Sequence, residues 1–222
     1  MTTTPRKRRA NGEESRRKII EAATEIAAVR GYEGTSISAV SEHSGLPSSS
    51  IYWHFANKDD LIAAVIEHSF ARWRELMAKE PIPEQIDPRC AVVESMRRAG
   101  RTLVGAPDFL RLGLMLTLER RPEEPTARTM FLAVRRDTQD QTARMYRELF
   151  GDALGDDGAR VLALMTVAAT DGLFITREIE SERLDTERAF DLVGIALAAV
   201  AEHLIDERSA AVSPRRPRRT AP

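Results

Sequence analysis

The sequence predicts an all-α protein, a three-helix head followed by a longer helical domain. Three observations carry that prediction. Apolar residues recur at spacings of three and four along nearly all of the 222 residues, the period of one helix face. Prolines and Gly-Asp clusters fall between those stretches rather than inside them. The one stretch that alternates like a strand, Leu110 to Leu118, is nearly without the β-branched residues that strands favour.

The elements follow in order. Ile19, Ala22, Ala23, Ile26 and Ala27 form one apolar face, with Asn11 and Glu14 as a capping box at its start and Gly31 as its C-cap. Ile37–Ser44 is a short helix with Thr35 or Ser36 as N-cap, broken by Gly45-Leu46-Pro47. Ser48–His54 is a second short helix. Asn57 caps a long one, whose first turn gains from Asp59 and Asp60. Leu61, Ile62, Val65, Ile66, Phe70, Trp73 and Met77 mark its buried face. Pro81 and Pro83 end it, because proline lacks the donor and clashes with the preceding turn. Later helices are predicted at roughly 88–104, 107–121, 125–151, 157–181 and 186–207, separated by Pro107, Pro122/Pro125, the run Gly155 to Gly158, and Leu184-Asp185. Leu110 to Leu118 belongs to the second of these, since Leu and Met are good helix formers and Pro107 suits a first turn.

Composition narrows the function. No run approaches the ~18 apolar residues of a membrane span, and the N-terminus lacks the apolar stretch of a secretory signal, so a cytoplasmic protein without a membrane partner is expected. Cys90 is the single cysteine. With His43, His54, His68 and His203 it has no zinc-ligand spacing, and no metal or cofactor is expected. No nucleophile–base pair or phosphate-binding glycine loop is visible, which argues against an enzyme. The net charge of −1 conceals a polarity. Residues 1–18 hold seven Lys/Arg against two Glu, and residues 209–222 hold four Arg and no acid. Basic ends on an acidic body fit a protein that touches nucleic acid, or else tails that keep it in solution.

Residues 35–61 concentrate the chemistry. Two short helices joined by a tight glycine turn have the form of a helix-turn-helix. Ile37 and Val40 face inward from the first, Leu46 plugs the turn, and Ile51 and Phe55, four apart, seat the second. Its other face carries Ser48, Ser49, Tyr52 and Trp53. Hydroxyls and apolar edges there suit a helix in the major groove, reaching base edges, phosphates and thymine methyls. Thr35, Gly45, Leu46, Ile51, Tyr52, His54, Phe55, Lys58 and Leu61 together resemble the signature of the TetR family of bacterial transcriptional regulators. Ser44, Pro47 and Ser49 depart mildly from that pattern, the last two at the start of the recognition helix. The likeness covers roughly residues 15–61, and the rest of the chain resembles the family only in helical pattern and length.

The resemblance implies roles for these positions. Thr35 and Ser36 would hold a phosphate, Ser48 and Ser49 would read bases, and Ser50 would bind phosphate. Tyr52 and His54 would bind phosphate, Trp53 would pack on a sugar or a thymine methyl, and Lys58 would pair with a phosphate. Tyr52 also fits a half-buried core aromatic, and His54 a capping residue. Arg6, Lys7, Arg8 and Arg9 would run along the minor groove or backbone, or serve as a solubilising arm. The expected division is an arm at 1–12, a DNA-binding head at 13–60, an effector-binding and dimerisation domain at 61–208, and an Arg/Pro tail at 209–222.

The family resemblance further implies a homodimer and a small-molecule effector. For the dimer interface the pattern offers Phe190, Val193, Leu197, Val200 and Leu204 beside the small residues Gly194, Ala198 and Ala201, with Leu162 and Ala169 from the preceding helix. For an effector pocket it offers Met96, Leu103, Phe109, Leu112, Met115, Met130, Phe131, Met145, Met165 and Phe174, methionine adapting to varied shapes. Arg97, Arg101, Thr138, Gln141 and Asp171 offer polar anchors, Asp171 standing in an apolar run. The expected protein is a repressor that a small apolar or amphipathic effector releases from a palindromic double-stranded operator. The alternative is an architectural or cell-division factor that uses the same head without a ligand.

Overall fold

The computed structural model describes residues 5–79, 81–83, 85–105, 108–119, 125–180 and 185–212. Among them are eight helices and no strand: α1 (Pro5–Gly34), α2 (Ile37–Ser44), α3 (Ser48–His54), α4 (Lys58–Ala78), α5 (Pro88–Gly105), α6 (Asp108–Leu118), α7 (Thr126–Glu180) and α8 (Thr186–Val212). They group into two compact units, residues 1–79 with 104–135, and residues 80–103 with 136–222. In this grouping α4, α6 and the start of α7 share a unit with the head. The Arg/Pro run 214–219, Pro107, Pro122 and Leu184 lie outside the described residues.

In the first unit, α1 begins at Pro5, a residue suited to a first turn. Asn11 is thus inside the helix rather than its cap, and Glu14 pairs with Arg17 at 2.7 Å. The predicted break at Gly31 is present as a non-helical residue (φ 65°, ψ −169°). Ile19, Ala23, Val40, Ile51, Leu61, Ile62 and Ile66 are buried together with Phe55. Farther along α4, Phe70 and Trp73 stack on one another and both lie 5.5–5.6 Å from the Phe109 ring of α6. Leu110, Leu112 and Leu116 are buried while Leu118 is exposed, so the alternating leucines are helical. A Cβ on Gly113 would lie 2.0 Å from the Phe131 ring, which rests on the α6 backbone there.

The second unit packs α5 against α8 at two glycines. A Cβ on Gly100 would meet the Phe190 ring at 2.8 Å, and one on Gly194 would meet Val93 Cα at 2.8 Å. Tyr146 is fully buried, its hydroxyl 2.9 Å from Thr166 Oγ1. The expected interruption of α7 occurs at Gly151 (φ 57°, ψ −147°) and Gly155 (φ 70°, ψ 177°), a backbone region that only glycine enters without strain. After the break, α7 shows solvent an apolar stripe: Val161, Leu164, Met165, Ile175 and Ile179 are 38–73% exposed. On α8, Leu192 and Ile195 are 48% and 51% exposed. Contrary to the expectation that no run approaches a membrane span, α7 is long and apolar enough to cross one by length and composition alone, with 18 consecutive residues at a mean hydropathy of 1.4.

Candidate nucleic-acid interface

Local chemistry builds the helix-turn-helix from its ends. Ser36 caps α2, its hydroxyl accepting from the Ala39 N–H at 3.2 Å. Gly45 closes α2 in the left-handed conformation (φ 69°, ψ 12°), which costs glycine little. Ser41 Oγ donates to the Leu46 carbonyl at 2.7 Å and holds the turn shut. Pro47 precedes α3 with extended dihedrals and no side-chain cap. Ile51 and Phe55 then bury one side of α3, and its other side is fixed outward.

That outward side carries what the sequence placed on it. Tyr52 is 57% exposed and Trp53 75% exposed, so Tyr52 is not a core aromatic. Ser49 is exposed, and Ser48 and Ser50 are half-buried. Ser49, Ser50, Trp53 and His54 line a shallow cleft of about 370 Å³ together with Asn11, Gly12 and Ser15 of α1. The three α1 residues were not foreseen from the motif. Their spacing of three and four is the only sequence sign that they share a face. The indole lies beside α1 at Gly12, where a Cβ would make an ordinary contact with the ring at 3.6 Å. His54 ends α3 and is half-buried. Burial, and after it the Arg16 charge, holds its pKa below the usual histidine value. Both effects favour the neutral imidazole.

Two residues differ from expectation. Thr35 is fully buried, and its hydroxyl donates to the Gly31 carbonyl at 2.8 Å. It stitches the end of α1 and is not open to a phosphate. Lys58 begins α4 as expected, but its ammonium lies 4.3 Å from the centre of the Tyr32 ring and donates to the Glu33 carbonyl at 3.3 Å. The Glu33 carboxylate stands 3.7 Å away. Arg6 to Arg9 belong to α1 by backbone, and their side chains lie outside the described residues.

Comparison with known proteins places this head. Residues 19–65 match the family model for bacterial regulatory proteins of the tetR family. The likeness to that family lies in the head, about a fifth of the chain. The HTH-type transcriptional regulator TtgR of Pseudomonas putida is 30% identical over 83 residues, 37% of this chain and 40% of that protein. An HTH-type transcriptional repressor of Mycobacterium tuberculosis is 32% identical over 110 residues, 48% of this chain and 55% of that one. The chain thus spans about half the length of the curated relatives it matches. The fold extends farther than the sequence likeness. The fatty acid degradation regulator FadR of Bacillus halodurans superposes with a TM-score of 0.66 at 16% identity, over 89% of this chain and 97% of that one. FadR of Bacillus subtilis, solved in complex with stearoyl-CoA, gives 0.64 at 18% identity, over 82% and 97%.

The residues expected to line one pocket fall into both units. Phe109, Leu112 and Phe131 are buried in the first, where Met115 is half exposed and Met130 half-buried. Met96, Leu103 and Phe174 are buried in the second, where Met165 is exposed and Asp171 half-buried. Met145 there accepts from Ser95 Oγ at 3.3 Å. Of the expected polar anchors, Gln141 donates to Asp137 at 2.6 Å. Arg97 and Arg101 line a cleft of about 290 Å³ with Asp185, Glu187, Arg188 and Asp191, in which Arg97 is paired with Asp191. The dimer expectation also shifts. Leu162, Phe190, Gly194, Leu197, Ala198 and Ala201 are buried within the chain itself, and Ala169, Val193, Val200 and Leu204 are half-buried.

Proposed function

We propose that this chain is a cytoplasmic, homodimeric repressor that binds a palindromic DNA operator and leaves it when a small apolar or amphipathic effector binds. The observation that carries this reading is the α3 face: serine hydroxyls, Tyr52 and Trp53 turned outward beside α1 while Ile51 and Phe55 anchor the helix. Ser48 and Ser49 are the proposed base readers. Ser36, Ser50, Tyr52, His54 and Lys58 contact phosphate, and Trp53 packs on a sugar or thymine methyl. Residues 1–60 hold nine basic and eight acidic residues, so affinity rests on these placed groups and the basic arm rather than on a broad positive face. Lys58 must leave Glu33 for the phosphate. Lys58→Ala therefore weakens binding to every duplex and lowers the slope of log K against log salt by about one. A titration against random-sequence duplex DNA checks it, and an unchanged slope contradicts the phosphate role.

His54 makes the binding pH-dependent. Its pKa in the free head lies below the usual value, and an adjoining phosphate raises it. Binding then takes up a proton, so affinity rises as pH falls from above the usual histidine pKa to below it. Titrations across that range are expected to show the rise in the native protein and a smaller one in His54→Gln. Equal pH dependence in the two removes His54 from the interface.

Dimerisation is assigned to the exposed stripes, Val161, Leu164, Met165 and Ile175 of α7 with Leu192 and Ile195 of α8. These are the outward faces of the two helices named from the sequence. Exposed apolar stripes of this length are characteristic of interaction surfaces, and a two-fold dimer brings each stripe against its own copy. The effector class rests on the Met-bearing apolar middle of the chain. It is supported by a fold neighbour, the Bacillus subtilis FadR, being described in complex with stearoyl-CoA.

A further inference from the structure

Asp59 lies in the first turn of α4, next to Lys58, and each of its carboxylate oxygens has a donor from elsewhere in the same unit. Oδ1 accepts from the Tyr32 hydroxyl of α1 at 3.4 Å. Oδ2 accepts from the Ala127 N–H, in the first turn of α7, at 3.3 Å. One carboxylate thus serves two helix N-termini, its own and that of α7, where negative charge is favoured. The Tyr32 ring, 9% exposed, carries the Lys58 ammonium at 4.3 Å. A second tie holds the same end of α1, Arg111 of α6 donating to the Ala28 carbonyl at 3.0 Å.

We propose that Asp59 is a positioning residue for DNA binding: it fixes Tyr32, Tyr32 holds Lys58, and the start of α7 controls both through the Ala127 N–H. The inference rests on the reading of Lys58 as a phosphate contact. Its content is the route. A shift of the first turn of α7 pulls on Oδ2, moves the carboxylate off the tyrosine hydroxyl, and releases the ring that aims the ammonium. Operator affinity then answers to α7 without any change in the recognition helix itself. An ordinary capping role for Asp59 would affect stability and leave the phosphate count alone.

The test measures salt dependence of binding to random-sequence duplex DNA for the full chain and five variants. Lys58→Ala sets the scale, lowering the slope by about one. Asp59→Ala and Tyr32→Phe are expected to lower it by at least half as much, and Lys58→Ala/Asp59→Ala no further than Lys58→Ala alone. Asp59→Asn, whose amide oxygen accepts from the Ala127 N–H while its NH2 donates to the Tyr32 hydroxyl, is expected to retain most of the native slope. Tyr32→Phe keeps the ring and the fold, and so decides the matter if Asp59→Ala does not fold. Native slopes in Asp59→Ala and Tyr32→Phe, with a lowered one in Lys58→Ala, overturn the positioning role. An unchanged slope in Lys58→Ala overturns the phosphate reading and this inference with it.

Discussion

Glutamate in place of Leu164 and Ile195 is expected to convert the dimer into a folded monomer that no longer holds its operator. Both side chains are more than half exposed, at 58% and 51%, on the stripes of α7 and α8. Full burial of a leucine or isoleucine contributes about 1.5–3 kcal/mol. In a two-fold dimer each substitution acts twice, so four apolar contacts are lost and four carboxylates enter the interface. With every 1.4 kcal/mol worth a factor of ten in affinity, association weakens by several orders of magnitude. The monomer keeps its fold because neither residue belongs to its core and glutamate is a good helix former. Sedimentation equilibrium distinguishes the states, and operator binding falls with the dimer because one head reads only half a palindrome. A double variant that stays dimeric places the interface elsewhere.

Gly194→Val is expected to have the opposite signature, a less stable protein without a direct loss of the dimer face. The sequence puts Gly194 among small residues that permit helix approach, and the partner it meets is α5 of the same chain. A Cβ there would sit 2.8 Å from Val93 Cα, 3.3 Å from Met96 Cβ and 3.4 Å from the Val93 carbonyl. Two of the three nearest atoms are backbone, so relief requires α5 and α8 to separate. Overpacking of this kind costs about 1–3 kcal/mol, and in a chain of this size each kcal/mol lowers Tm by about 2–4 °C. Thermal unfolding and sedimentation on the same variant check both halves. An unchanged Tm with a lost dimer would return Gly194 to the interface between copies.

The head was legible in the sequence because its constraints are local. A glycine that must enter the left-handed region, a capping serine, and apolar residues four apart on a seven-residue helix leave one arrangement, and Ser49, Tyr52 and Trp53 then point outward by elimination. Thr35 was misread because a hydroxyl at a helix end satisfies a backbone carbonyl as readily as a phosphate, and its composition says nothing of which. Asn11 and Glu14 have the spacing of a capping box, but the helix already runs from Pro5, so that spacing falls inside it. Helix α8 was harder, since it is apolar on more than one side. Periodicity identifies the two faces but cannot tell which meets α5, and close packing at Gly194 and Phe190 decides it. That α6 and the start of α7 share a unit with the head depends on contacts among Phe70, Trp73, Phe109 and Asp59–Ala127, tens of residues apart, and no spacing rule reaches that far.

A symmetric pair of α3 helices is expected to read a defined DNA sequence. Selection of bound sequences from a random duplex pool by the full-length protein tests it most directly. The expected result is one enriched palindrome whose half-sites are centred a helical turn, about 34–36 Å, or a multiple of it apart. Enrichment of no sequence, or of a single unrepeated site, contradicts it.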